Sequence, residues 1–83
     1  MWFTYLLLCD DKTIYCGITN DVPKRLLAHK NKKGAKYTQV HGADKIVFKK
    51  AHRTKSNALK FEYKIKQISR EEKLKLILAY KSH

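Results

Sequence analysis

An α/β domain of the α+β type is expected here: a small, three-stranded, mostly antiparallel sheet flanked by helices, in the order ββαβαα. Three features of the chain lead to it. Two runs rich in aromatic and branched residues, residues 2–9 and 13–18, straddle a short polar turn. A third apolar run, Ile46-Val47-Phe48, stands apart later in the chain. The stretches that follow the hairpin and the third run carry apolar residues at helical spacing and open on capping residues. With 83 residues there is room for one domain with one hydrophobic core, spanning 1–83.

The first strand is Trp-Phe-Thr-Tyr-Leu-Leu-Leu-Cys, residues 2–9, and the second runs from Thr13 to Ile18. Aromatic and β-branched side chains suit a pleated surface, and Asp10-Asp11-Lys12 supplies the turn of a β-hairpin. A three-residue turn pairs Cys9 with Thr13, Tyr5 with Gly17 and Leu7 with Tyr15. Tyr5 and Tyr15 then share one face as diagonal neighbours, and a slip of one residue would separate them. The same register puts Cys9 and Cys16 on opposite faces, which argues against a disulfide or a shared zinc. Thr19-Asn20-Asp21 is turn and N-cap chemistry, and Pro23 fits the first turn of a helix whose apolar side is Val22, Leu26 and Leu27. Asn31 to Gly34 stop that helix. A basic loop follows, Lys32-Lys33-Gly34-Ala35-Lys36-Tyr37-Thr38, ending near Gly42. Lys45–His52 is the third strand. Thr54 or Ser56 caps a second helix through Ile68, with Ala58, Leu59, Tyr63 and Ile65 on its buried side. Ser69 and Glu72 fit a capping box, opening a third helix with Leu74, Ile77 and Leu78 on one face.

Composition narrows the function. Hydrophobic residues make up 43%, which argues against disorder. The longest apolar run is far too short to span a membrane, and a signal-peptide pattern is not seen. Two cysteines fit a reducing cytoplasm, the compartment expected, and no obligate protein partner is implied. The net charge is +12, and its placement says more than its size. Lys24 to Lys66 holds fourteen basic residues against two acidic ones, Asp44 and Glu62, while the rest of the chain has five of each sign. A concentrated surplus points to a polyanion. Nucleic acid, with no membrane association, is the partner expected, since neither a cationic amphipathic helix nor a lipidation motif accompanies the charge.

Several residues stand out as chemical candidates. Tyr5 and Tyr15 form a pair on the hairpin, with strand packing as the plain alternative. Gly17 leaves a gap beside Tyr5 where a substrate backbone can approach. Arg25 and His29 are i, i+4 on the first helix: one suits phosphate, the other can donate, accept or shuttle a proton. A solvated helix face is the alternative. Glu62 falls between Ala58 and Leu59 on the helical wheel, on the side expected to pack. A carboxylate there needs a partner or a metal, unless it is an ordinary i, i+4 companion of Lys66. Carboxylate oxygen is also the usual protein ligand for Mg²⁺ near phosphates. Lys32, Lys33, Lys36 and Tyr37 combine charge with an aromatic ring, as phosphate tracking and base stacking require. Lys49, Lys50 and Arg53 extend that surface, whereas His41 and His52 read as surface residues.

In this order, these residues resemble the GIY-YIG nuclease family. Its two strand motifs correspond to Phe3-Thr4-Tyr5 and Tyr15-Cys16-Gly17, and its hairpin-to-helix junction to Gly17-Ile18-Thr19-Asn20-Asp21, Lys24-Arg25-Leu26 and His29. Glu62 falls where the family has its metal-binding glutamate. Gly34-Ala35-Lys36-Tyr37-Thr38 is similar to the short stand-alone branch of the family. The first motif keeps only its tyrosine, and Cys16 replaces an aliphatic residue in the second; both changes fall at packing positions.

The resemblance implies a DNA endonuclease that hydrolyses phosphodiester bonds with one divalent cation, Mg²⁺ or Mn²⁺, held by Glu62. A tyrosine, assigned to Tyr15 over Tyr5, would deprotonate or orient the attacking water. A phenol with a pKa near ~10 is a poor base at neutral pH, and surrounding cations are expected to lower it. Arg25 would stabilise charge on the phosphoryl oxygens, with His29 orienting a phosphate or assisting proton transfer. The main rival is a non-catalytic nucleic-acid-binding module of the same fold, and a third reading is an adaptor that uses the Leu74–Leu78 helix.

Overall fold

The computed structural model describes residues 1–81. Strands β1 (Trp2–Leu8), β2 (Ile14–Thr19) and β3 (Lys45–His52) form one sheet in the order β2-β1-β3, antiparallel throughout. Helices α1 (Val22–Lys30) and α2 (Lys36–His41) lie between β2 and β3, and α3 (Lys55–Gln67) and α4 (Arg70–Lys81) follow β3. The α+β fold is the one expected, with one addition: α2 occupies the stretch read as a basic loop. Six residues with no side-chain cap are too short to show a helical period. Its end is made by Gly42, at φ 77°, whose N–H returns to the Thr38 carbonyl at 2.9 Å.

The hairpin turn closes as the register requires. Cys9 N–H donates to the Thr13 carbonyl at 2.9 Å and Lys12 N–H to the Cys9 carbonyl at 3.0 Å, with Lys12 left-handed at φ 72°. Asp11 Oδ1 accepts from the Thr13 N–H at 3.1 Å and from its hydroxyl at 2.6 Å. Tyr5 therefore faces Gly17 and Leu7 faces Tyr15.

Period-two alternation then splits the core between the sheet's two faces. Leu6, Cys16 and Val47 pack with Ile65 of α3 and Ile77 of α4. Tyr5, Leu7 and Cys9 pack with Tyr15, Leu26, Ala43 and Ile46 on the other side. The two cysteines are free thiols in different clusters. A bulge lets adjacent residues serve one face: Leu6 pairs with Phe48 but Leu7 with Ile46, so Val47 and Phe48 both reach the Leu6 side.

Asp21 caps α1 by accepting from Lys24 N–H, Thr54 caps α3 by accepting from Asn57 N–H, and Ser69 accepts from Glu72 N–H at the start of α4. At its far end α1 is closed by a Schellman pattern in which Lys33 N–H reaches the Ala28 carbonyl and Lys32, at φ 59°, takes the left-handed position. The apolar faces differ from the sequence reading. Leu27, Leu59, Tyr63, Leu74 and Leu78 are exposed, and the inward positions are Val22, Leu26 and His29 on α1, Ala58, Phe61, Glu62 and Ile65 on α3, and Leu76 and Ile77 on α4. A 100° step leaves the edge of an apolar stripe undetermined, and contact with the sheet decides which flank is covered. Among the described residues, no helix is long and apolar enough to cross a membrane.

Leu6 is fully buried whereas Leu27 is 59% exposed. Leu6→Ala should therefore cost about 2–5 kcal/mol in urea unfolding, and Leu27→Ala within about 0.5 kcal/mol. Equal losses would contradict these faces.

Candidate active site

The hairpin register brings the Tyr5 and Tyr15 rings to 6.4 Å between centroids on one face. Tyr5 is 1% exposed, while Tyr15 is only half-buried. The gap expected beside Gly17 is not open to a substrate, because the Tyr5 phenol fills it. A Cβ at residue 17 would lie 2.6 Å from Tyr5 Oη and 3.0 Å from Tyr15 Cε2. Gly17 is buried and its missing side chain lets the tyrosines close on the strand.

Helix α1 delivers Arg25 and His29 to the same place, but in different environments. His29 is buried, with Nε2 on the Tyr5 hydroxyl at 2.8 Å and Nδ1 on the Thr38 hydroxyl at 2.7 Å. Thr38 is also fully buried and donates to the Ala35 carbonyl at 2.9 Å. Both ring nitrogens have protein partners, so direct phosphate contact, one of the two roles expected for His29, would require one of these partners to give way. Gly34 completes the enclosure, since a Cβ there would collide with His29 Nδ1. The Gly34–Thr38 segment is thus the cover of this histidine. No apolar pattern signals this; the signal is a glycine and a threonine in one short segment.

Burial governs the local acidities. It pushes Tyr5 up to about 12, against the pull of the Arg25 guanidinium beside its hydroxyl. The lowering expected from nearby cations is thus reversed at this tyrosine. His29 is held below its ordinary value, first by burial and then by Arg25. Arg25 is half-buried, and its Nε is buried with no hydrogen-bond partner among the described residues.

A second aromatic line leads outward. Tyr37 stacks on Tyr15 at 5.7 Å and on His41 at 4.1 Å, and His41 Nδ1 pairs with the Asp11 carboxylate. Tyr37 thus has ring partners within the protein, while 38% of its surface remains exposed. His41 is part of this column, and His52 hydrogen-bonds the buried Thr4 hydroxyl at 3.1 Å, so both, expected at the surface, are half-buried and have partners. These contacts link elements that sequence spacing does not bring together. Lys32, Lys33 and Lys36 are exposed on the loop entering α2.

Glu62 is not brought into the tyrosine cluster. It lies on α3, on the other face of the sheet, near enough to Cys16 to raise its thiol further beyond what burial does. Its side chain is 18% exposed, with Lys66 Nζ at 3.7 Å from the carboxylate. Strand β2 is an edge strand, and Gly17 faces Tyr5 across the register. Arg25, beside the Tyr5 hydroxyl, and Glu62, beside Cys16, thus belong to opposite faces of the sheet.

Two hairpin tyrosines with an arginine and a histidine from the next helix define a class, and residues 1–75 match its model, described as the GIY-YIG catalytic domain. The chain belongs to the GIY-YIG catalytic-domain family, a nuclease superfamily. Within it, the chain is similar to UPF0213 proteins. It is 44% identical over 75 residues to one from Staphylococcus epidermidis, covering 90% of this chain and 92% of that protein. It is 45% identical over 75 residues to one from Oceanobacillus iheyensis, covering 90% and 87%. The solution NMR structure of UPF0213 protein BH0048 from Bacillus halodurans superposes with a TM-score of 0.60 at 38% identity, covering 95% of this chain and 85% of that one.

The buried His29 gives stability a definite pH dependence. The unfolded chain takes up a proton near the ordinary 6.5, whereas the folded site resists it. Stability should be full above that value and decline as pH falls below it. Asp11 acts in a separate window. Hydrogen bonds from Thr13 and then His41 lower it from 3.8 to about 2, so its contribution is present above 3.8 and is lost towards 2. Urea midpoints measured from pH 8 to 2 should fall in both windows; a flat profile between pH 7 and 5 would contradict the enclosed, neutral His29.

Proposed function

We propose that the chain is a divalent-metal-dependent nuclease that hydrolyses phosphodiester bonds in DNA, with Arg25 binding the phosphate. The observation that carries this reading is the state of Arg25. Its Nε, a buried donor without a partner among the described residues, calls for a ligand that accepts, and the planar guanidinium fork matches phosphate oxygens. A polar pocket of about 230 Å³, lined by Thr19, Asn20, Asp21, Lys24, Arg25 and Ala28, opens beside it. The surplus of positive charge between Lys24 and Lys66 supports a polyanionic substrate.

The residues fit the cation that the reading needs. Glu62 offers hard oxygen atoms, and its 3.7 Å contact with Lys66 leaves them capacity for more. Among the described residues there is no group of three or more His, Cys, Asp or Glu placed to hold a metal. One carboxylate suits Mg²⁺ or Mn²⁺, whose other positions water and phosphate oxygens fill. When bound, the cation would polarise the scissile phosphate and neutralise the leaving oxygen. A phosphodiester lying along the edge of β2 would meet Arg25 from one face and Glu62 from the other. Tyr15 is the tyrosine open to solvent, so its hydroxyl would orient the attacking water. Tyr5, buried and bonded to His29, would act by positioning Arg25.

Labelled single-stranded, duplex and branched DNA, incubated with Mg²⁺ or Mn²⁺ and with chelator, tests the proposal. Cleavage should require the metal. Glu62→Gln should lower it by at least ~100-fold, and Arg25→Lys should lower it too because the bidentate fork is lost. Metal-free DNA binding by Glu62→Gln should be equal or tighter. Binding by the wild type with no metal-dependent cleavage of any substrate would favour the non-catalytic binding module instead.

Binding has its own signature. If about five to seven phosphates are contacted, log K against log[salt] should slope at roughly −3.5 to −6. Replacing Lys33 and Lys36 together with Ala should flatten that slope by ~1–2 units. Salt-independent binding would refute the electrostatic interface.

A further inference from the structure

We infer that Thr38 is a positioning residue for the phosphate-binding site: its hydroxyl fixes the tautomer of His29, which turns the Tyr5 O–H inward and leaves the Tyr5 oxygen free to accept from Arg25. The role assigned to Arg25 rests on the nuclease reading above; the direction of the hydrogen bonds does not.

The direction follows from counting protons. A hydroxyl has one hydrogen, and the Thr38 hydrogen goes to the Ala35 carbonyl, which can only accept. Thr38 Oγ1 therefore accepts from His29, so Nδ1 carries the ring proton. The lowered acidity range of His29 keeps the imidazole neutral, which leaves Nε2 bare. Nε2 then accepts, and the Tyr5 hydroxyl is the donor at 2.8 Å. With its single hydrogen spent on His29, Tyr5 Oη turns lone pairs towards the Arg25 guanidinium, which has only donors. All the bonds from Tyr5 to Ala35 run one way, and such chains polarise one another.

The opposite tautomer would reverse this order. A proton on Nε2 would donate to Tyr5 Oη, whose own hydrogen would have to turn away from His29, on the side where Arg25 sits. In a site where Tyr5 and His29 are each 1% exposed, water cannot relieve such a clash. Thr38 is the group that decides between the two arrangements, because it is the only partner of Nδ1 among the described residues. Gly34 guards that contact, since its backbone packs where a side chain would displace Nδ1. Thr38 lies on α2 and Arg25 on α1, so the link passes between helices through β1.

Side-chain ¹⁵N NMR of the intact protein reads the tautomer directly, with no need for activity. Wild-type His29 should be protonated at Nδ1 and bare at Nε2. Thr38→Val keeps the shape and removes the hydroxyl; it should move the His29 signals towards the Nε2–H form and shift the Arg25 guanidinium resonances. Thr38→Ser should restore both. In cleavage assays Thr38→Val should lower kcat by about 10-fold with KM within about 2-fold, because the lost alignment matters most for charge developing in the transition state. Thr38→Ser should recover most of the rate. A wild-type His29 protonated at Nε2 would overturn the inference, whether or not Thr38→Val folds. So would a folded Thr38→Val protein with native tautomer and unchanged kcat. Wild type that cleaves nothing would end the nuclease reading alone, since the tautomer and the Arg25 resonances would still decide the role of Thr38.

Discussion

The pairing of Cys9 with Thr13 across a three-residue turn is the constraint on which the rest depends. Asp11 holds that turn through Thr13, and Lys12 accepts a left-handed backbone to close it. Strand side chains alternate with period two, so this one choice assigns each hairpin residue to a face. Tyr5, Leu7, Tyr15 and Gly17 go to one side and Leu6, Cys16 and Ile18 to the other. A shift by one residue would bury polar groups among the leucines and break up the tyrosine pair.

On the tyrosine side the protein buries polar groups rather than avoiding them. Tyr5, His29 and Thr38 are fully enclosed, yet their polar atoms find partners in a closed sequence of hydrogen bonds. Such a network is rigid because each member has few alternatives. Arg25 stands at its open end, with a donor, Nε, that has no hydrogen-bond partner among the described residues. This contrast between satisfied interior and unsatisfied end is what the proposed function rests on.

The two charged groups of interest sit on opposite sides of the sheet. Strand β2 is an edge strand, open on the side away from β1. Under the proposed function, a substrate along that edge would be reached from both layers.

Much of this was legible in the chain. The hairpin, its register, the tyrosine pair, the capped starts of α1, α3 and α4, and the family resemblance all follow from local chemistry: turn residues, alternation and caps act over a few positions. Glu62 on the packed side of α3 was legible too, from its place on the helical wheel. What the sequence could not reveal is what depends on distant partners. The short α2 has no periodicity of its own, and the exposure of Leu27, Leu59 and Leu74 depended on which flank met the sheet. Gly17 reads as an opening, but the Tyr5 phenol fills it, and Tyr37 reads as a loop aromatic, but it stacks with Tyr15 and His41. The sequence by itself determined the register and the class of the fold, because those are set by neighbours along the chain. Tertiary structure alone decided that His29 is buried between Tyr5 and Thr38, because that depends on which groups, far apart in sequence, are enclosed together.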